Sequence, residues 1–251
     1  MKALKNKEKK RLGLKLATAY GLAPNRLGFC GPQERKDRRK IRDYLENKIS
    51  DSEIKAFLRK FEAAYSYLEL IAKKNNLSDP FNYQVVEAFW VGNKLLDKVR
   101  GHDLKKMVLA KFIRPGLLSE AQAEERLKFI PENSRPHHSF HVYIFGTITG
   151  RVSLKEAQMK DICRVSWGKI KKIEEAKNNS KVFVEYQPIV KSKKFIFDRP
   201  EIKEIKWDKT VVPKVKLNDW VSFHWNCLAQ ILSQRQVNNI EKYTRHTLKL
   251  V

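Results

Sequence analysis

Pro136-His137-His138-Ser139-Phe140-His141-Val142-Tyr143-Ile144-Phe145 is the stretch at which the chain changes character. From His137 onward, polar and apolar residues alternate with a period near two, the pattern of a half-buried strand. Upstream the spacing is helical. Leu12, Leu16 and Tyr20 recur every four residues, and Ile54, Phe57, Leu58, Phe61, Ala64, Tyr65, Leu68 and Ile71 keep the 3–4 spacing of one long buried face that Ser50 or Asp51 can cap. The first helix is expected to end at Gly21, Val85 to Leu96 form another, and Ser119 opens an acid-first helix that closes before Pro131. Downstream, β-rich runs recur at 162–165, 181–186, 194–197 and 202–207. After Asn218-Asp219, Trp220, Phe223, Cys227, Leu228 and Ile231 set one helical face, and Ser233 starts a final helix through Val237, Ile240, Tyr243 and Leu248. The expected class is α+β: a helical N-terminal section over 1–135, a central antiparallel sheet over 136–216 and a C-terminal helical hairpin over 217–251, in one or two compact domains.

Composition narrows the partners. Lys and Arg number 52 against 28 Asp and Glu in 251 residues, a formal charge of +24, while a 42% hydrophobic content excludes a wholly disordered chain. Such a charge attracts nucleic acid, anionic surfaces or acidic proteins, although a solvated lysine-rich surface produces the same number. Three cysteines, odd in number and without a CxxC pair, fit a reducing cytoplasm. No apolar run approaches the roughly 18 residues of a membrane span, and the basic start lacks the apolar core of a secretory signal. P-loop, GxGxxG, GxSxG and HExxH patterns are missing, which disfavours common nucleotide-dependent chemistry.

Three of the six histidines fall within His137, His138 and His141. On a straight strand His137 and His141 stand roughly 13 Å apart, too far for one ion, so a metal would need a turn after Pro136 and a distant ligand. Without a metal they are hydrogen-bonded strand residues. His224, between Phe223 and Trp225, is expected to be buried with a lowered pKa, suited to a neutral ligand, a general base or a satisfied core position. Cys30 sits in a Gly-rich turn whose amides could lower its pKa, but the same glycines serve a plain structural turn. Glu87 is a carboxylate among apolar neighbours, available to a metal or to a lysine. The candidate site is therefore a divalent transition metal on His138 and His141, completed by His224, Glu87 or Cys30. Catalysis ranks lower because no base and nucleophile are paired in the sequence. The alternative is a basic nucleic-acid-binding protein using Lys9, Lys10, Arg11, Arg38, Arg39 and Lys194 with the aromatic residues of the sheet.

Gly28-Phe29-Cys30-Gly31-Pro32, Val85-Val86-Glu87-Ala88-Phe89-Trp90-Val91-Gly92-Asn93, Pro136-His137-His138-Ser139-Phe140-His141-Val142 and Ser222-Phe223-His224-Trp225 together resemble a prokaryotic family of unknown function, over about residues 12–246. The resemblance implies a metal-handling, accessory or maturation role associated with nickel–iron hydrogenase maturation, with a metalloenzyme precursor or accessory protein as partner. The chain departs from that expectation in its charge, which keeps RNA or DNA open as the alternative partner.

Overall fold

The computed structural model describes residues 6–34, 36–37, 39–113, 117–177 and 179–251. Arg38 lies outside them, as do the side chains of Lys9 and Lys10. The class is α+β, with a helical first half, a five-stranded sheet, a small two-stranded sheet and a C-terminal helix. Helix α1 (Asn6–Arg26) runs through Gly21 and Pro24 rather than ending at Gly21. It is held there by packing: Phe61 lies 3.4 Å from where a Cβ on Gly21 would stand. The long helix expected from Ser50 is two helices, α3 (Asp51–Leu58) and α4 (Glu62–Lys74), after the short α2 (Lys40–Leu45). Ser50 caps α3 in a capping box with Glu53, and the chain turns at Phe61 before α4. Helix α5 (Tyr83–Trp90), capped by Asn82, packs on α1. Helices α6 (Gly101–Val108) and α7 (Glu120–Lys128) complete this half, with Ser119 capping α7 as its sequence predicts.

The stretch after Pro136 is helical, which overturns the strand expected there. His137 is an N-cap, its Nδ1 accepting from the Ser139 amide at 3.4 Å, and α8 (His138–Phe140) passes directly into a π-helical turn, His141–Phe145, closed by Gly146 at φ 84°. Phe140, Val142, Tyr143 and Phe145 are all buried, so both sides of the segment are apolar and the two-residue alternation has no solvent face to report. The 162–165 run is likewise not a strand: it begins in helix α9 (Ala157–Cys163).

The sheet begins at β1 (Ser166–Glu174) and continues through β2 (Lys181–Tyr186), β5 (Glu201–Lys206), β6 (Trp220–His224) and β7 (Cys227–Ile231). It closes as a barrel in the order β1-β2-β5-β7-β6, antiparallel except between β5 and β7. Strands β3 (Ile189–Lys191) and β4 (Phe195–Phe197) form the separate small sheet. The expected C-terminal helical hairpin is in fact the β6–β7 hairpin followed by one helix, α10 (Gln234–Leu248), which Ser233 caps with Gln236. Trp225 and Asn226 supply the two-residue turn, both left-handed at φ 52° and 55°, the conformation that lets a tight hairpin match strand twist. Val221 and Phe223 point into the barrel core, while Ser222 and His224 are buried on the other face, where β6 packs on α1. A strand buried on both faces leaves no alternation, and the chance spacing of its large residues imitates a helix.

Candidate metal centre

Five elements deliver side chains to one point. Tyr20 of α1 stacks on Trp90 of α5, ring centroids 5.0 Å apart. The N-terminus of α8 sets His138 against Trp90 at 4.7 Å, and the end of β6 sets His224 against the same indole at 5.4 Å. The two imidazoles face each other edge to face at 5.0 Å. Cys163, the last residue of α9, joins them. Ligand atoms of His138, Cys163 and His224 all lie within 4.8 Å of one another, and all three residues are buried. Some point lies within about 2.8 Å of all three such atoms, so movements of no more than roughly 0.5–0.8 Å reach Zn–S and Zn–N bond lengths.

His224 is oriented for this. Its Nδ1 lies 2.8 Å from the Tyr20 carbonyl, an acceptor, so Nδ1 carries the proton and Nε2 keeps a lone pair. That Nε2 is buried and makes no hydrogen bond of normal geometry, nor does Nδ1 of His138, although the Cys163 backbone approaches the His224 ring as a weaker polar neighbour. Tyr20 is itself fixed by a 2.7 Å hydrogen bond between its hydroxyl and Ser222. Burial holds the histidines neutral: His224 falls to about 4, and His138 lies well below its ordinary value through burial, then the neighbouring His224 and His141. Burial drives the Cys163 thiol well above its ordinary value, so without a metal it is a thiol and not an activated nucleophile.

The other expected residues fall at different distances. His141 and Cys30 line the same cavity but are not in the three-residue cluster. His141 stands 6.3 Å from His138 between ring centroids, and its Nδ1 engages the Tyr67 hydroxyl at 3.3 Å. Burial and Glu62 push the Cys30 thiol up to about 12, which removes the activation its glycine-rich turn suggested. Glu87 is outside the cavity lining and is satisfied elsewhere, accepting from Gln236 at 2.9 Å, Asn93 at 3.0 Å and Tyr83 at 3.3 Å. It ties α5 to α10. Replacing Glu87 with Ala should leave metal content unchanged while costing about 1–3 kcal/mol of stability from the stranded donors, read by urea denaturation. Cys163 went unrecognised in the sequence because it lies far along the chain from both histidines and carries no local motif.

Of the basic residues singled out, Arg11 is exposed on α1 and donates to Asn47 at 3.1 Å, Arg39 immediately precedes α2 without a side-chain capping bond, and Lys194 is exposed between β3 and β4. Two of the strand lysines face carboxylates, Lys171 to Glu185 at 3.1 Å and Lys181 to Glu204 at 2.9 Å, and Tyr186 and Trp207 are buried rather than available for stacking.

A family model matches residues 9–251. The chain belongs to the DUF6390 family, a family of unknown function. No curated protein and no solved structure matches it. Among the described residues no helix is long and apolar enough to cross a membrane.

The buried histidines make this DUF6390 fold acid-sensitive. His137 falls to about 3, His141 and His224 to about 4, and His138 lies lower than its ordinary value, each chiefly through burial. Their folded pKa values lie below the unfolded value near 6.5, so the unfolded chain takes up protons first as pH falls. The stability they contribute is present above about pH 6.5 and is lost towards pH 4. For metal-free protein, urea midpoints should be level from pH 8 to 7 and fall steadily from 6.5 to 5; a level profile across that lower interval would contradict the buried neutral state.

Proposed function

We propose that this protein is a metal-linked accessory or maturation factor in which His138, Cys163 and His224 hold a transition-metal ion. The observation that carries the reading is the convergence of two neutral imidazoles and one thiol within 4.8 Å, from three segments remote in sequence. A donor set of two nitrogens and one sulfur suits Zn²⁺ or copper and excludes Mg²⁺ and Ca²⁺, which take oxygen. Three protein ligands leave a further coordination position. The adjoining cavity, about 50 Å³ and walled mainly by Pro24, Phe61, Phe89, Ile148 and Leu154, has room for water or one donor atom, far below the roughly 300 Å³ of an organic-substrate pocket. That size favours holding or handing on an ion over turnover of a bound metabolite; the partner proposed for such a factor is a metalloenzyme precursor or accessory protein. The reading places the chain in a reducing compartment such as the cytoplasm, which keeps the Cys163 thiol available.

The test is elemental analysis of tag-free protein purified without chelator. Near-stoichiometric metal is expected in the parent and in Cys30→Ser, with less than a tenth of that in His138→Ala/His224→Ala and in Cys163→Ser. Metal-free parent, still unable to take up Zn²⁺ or copper on titration, would overturn the proposal. Ion binding also has a pH signature. The histidines enter neutral and the thiol must lose its proton, so one proton leaves per ion and affinity should rise about tenfold per pH unit between pH 6 and 8. Calorimetry in buffers of different ionisation enthalpy reads that proton directly; release of none would remove Cys163 from the ligand set.

A further inference from the structure

A second concavity, about 890 Å³, opens between the C-terminal half of α1, the β1–β2 loop, the segment after β5 and the β6–β7 turn. Its charge is one-sided. Arg26, Arg42, Lys177, Lys206 and Lys209 line it against a single carboxylate, Asp208. Arg42 is committed to Asp208 at 3.1 Å, and Lys209 to Glu175 at 2.5 Å. Arg26, Lys177 and Lys206 are exposed, and among the described residues none has a carboxylate within salt-bridge distance. The barrel lysines Lys171 and Lys181, by contrast, are neutralised by glutamates. Between the cations the walls are apolar and aromatic, with Phe29 half-buried against Trp225 at 4.6 Å between ring centroids.

We propose that this groove binds single-stranded nucleic acid, with Arg26, Lys177 and Lys206 on the phosphates and a base against Phe29. Unpaired cations flanking an aromatic floor are what a strand requires, since phosphate contacts supply affinity and a ring face accepts any base. A pocket of this size falls within the range of small-ligand sites, so it takes individual nucleotide units and not the width of a duplex. The chain's +24 charge adds long-range attraction for a polyanion that a small uncharged ligand would not feel. The groove stands apart from the His138–Cys163–His224 cluster. Trp225, held left-handed at the hairpin tip, lines both.

The experiment is fluorescence anisotropy with a labelled twelve-nucleotide mixed-sequence RNA and the same DNA, single-stranded and duplex, and with poly-glutamate of equal charge, from 50 to 300 mM salt. Arg26→Glu/Lys177→Glu/Lys206→Glu changes only exposed positions. Lys73→Glu/Lys128→Glu/Lys155→Glu makes the same change in net charge away from the groove. The groove variant is expected to weaken strand binding at least about tenfold at 100 mM salt and to flatten the log–log salt slope by about 2, while the control changes affinity less than about threefold. His138→Ala/His224→Ala, if folded by circular dichroism, should bind the strand as the parent does, which separates this site from the metal reading. Equal losses in the two charge-reversal variants, tighter binding of duplex or poly-glutamate, no parent binding at 50 mM salt, or loss in the folded histidine variant would each overturn the assignment.

Discussion

Asp161→Ala is expected to lower the unfolding free energy by about 3–5 kcal/mol, because it strands a buried guanidinium. Asp161 and Arg164 are 6% and 1% exposed. The carboxylate accepts from Arg164 Nε at 2.8 Å, from the Ile189 amide at 2.8 Å and from the Tyr186 hydroxyl at 3.1 Å, so one side chain ties α9 to both β2 and β3. Arg164 in turn donates to the Gln187 carbonyl at 2.7 Å and lies over the Trp167 and Phe197 rings. Removing the carboxylate leaves the guanidinium without its counter-charge and the Ile189 amide without its acceptor. Cys163 sits between these two residues on the chain. The same substitution should therefore weaken metal binding at least about tenfold by loosening the end of α9, as second-sphere changes do. Asp161→Asn keeps acceptors at the site and should lose less stability than Asp161→Ala. Urea denaturation of the three proteins checks the ranking, and a loss under about 1 kcal/mol in Asp161→Ala would show that the pair does not hold α9.

Gly13→Ala should cost about 3 kcal/mol or more, the upper end of overpacking penalties. A Cβ there would stand 1.9 Å from the Phe81 carbonyl oxygen and 2.9 Å from the Tyr83 amide nitrogen, both backbone atoms at the approach to α5. Neither can rotate away, so α1 must move. The displacement reaches the metal centre, because Tyr20 on the same helix orients His224 through its carbonyl and stacks on Trp90. Gly146→Ala offers a contrast. Nothing lies within 4 Å of the added atom, and only the backbone at φ 84°, ψ 178°, a region essentially reserved for glycine, opposes it, a cost of about 1–3 kcal/mol. Thermal denaturation of the two variants side by side tests whether close approach or backbone conformation dominates; equal losses would mean that α1 accommodates the methyl.

Local chemistry was readable wherever one residue type does one local job. The caps Ser50, Ser119 and Ser233 start helices as their side chains predict, and the strand over Lys181–Tyr186 alternates because one face lies in the barrel. His138 and His224 stood out as ligand types in apolar surroundings, and both reach the centre. Glu87 stood out for the same reason and does not, since apolar neighbours in sequence could not show that Gln236, Asn93 and Tyr83 would satisfy it.

The sequence by itself determined the α+β class, the basic charge, the helix starts and two of the three clustered side chains. Tertiary structure alone decided that His138 opens a helical turn, that Trp220–His224 is a strand and that Cys163 completes the cluster. The reason is common to all three. The 138–145 and 220–224 segments are buried on both sides, so solvent imposes no period on them. A ligand set assembled from α8, α9 and β6 exists only once the barrel has closed against α1 and brought together residues with no local relation in the chain.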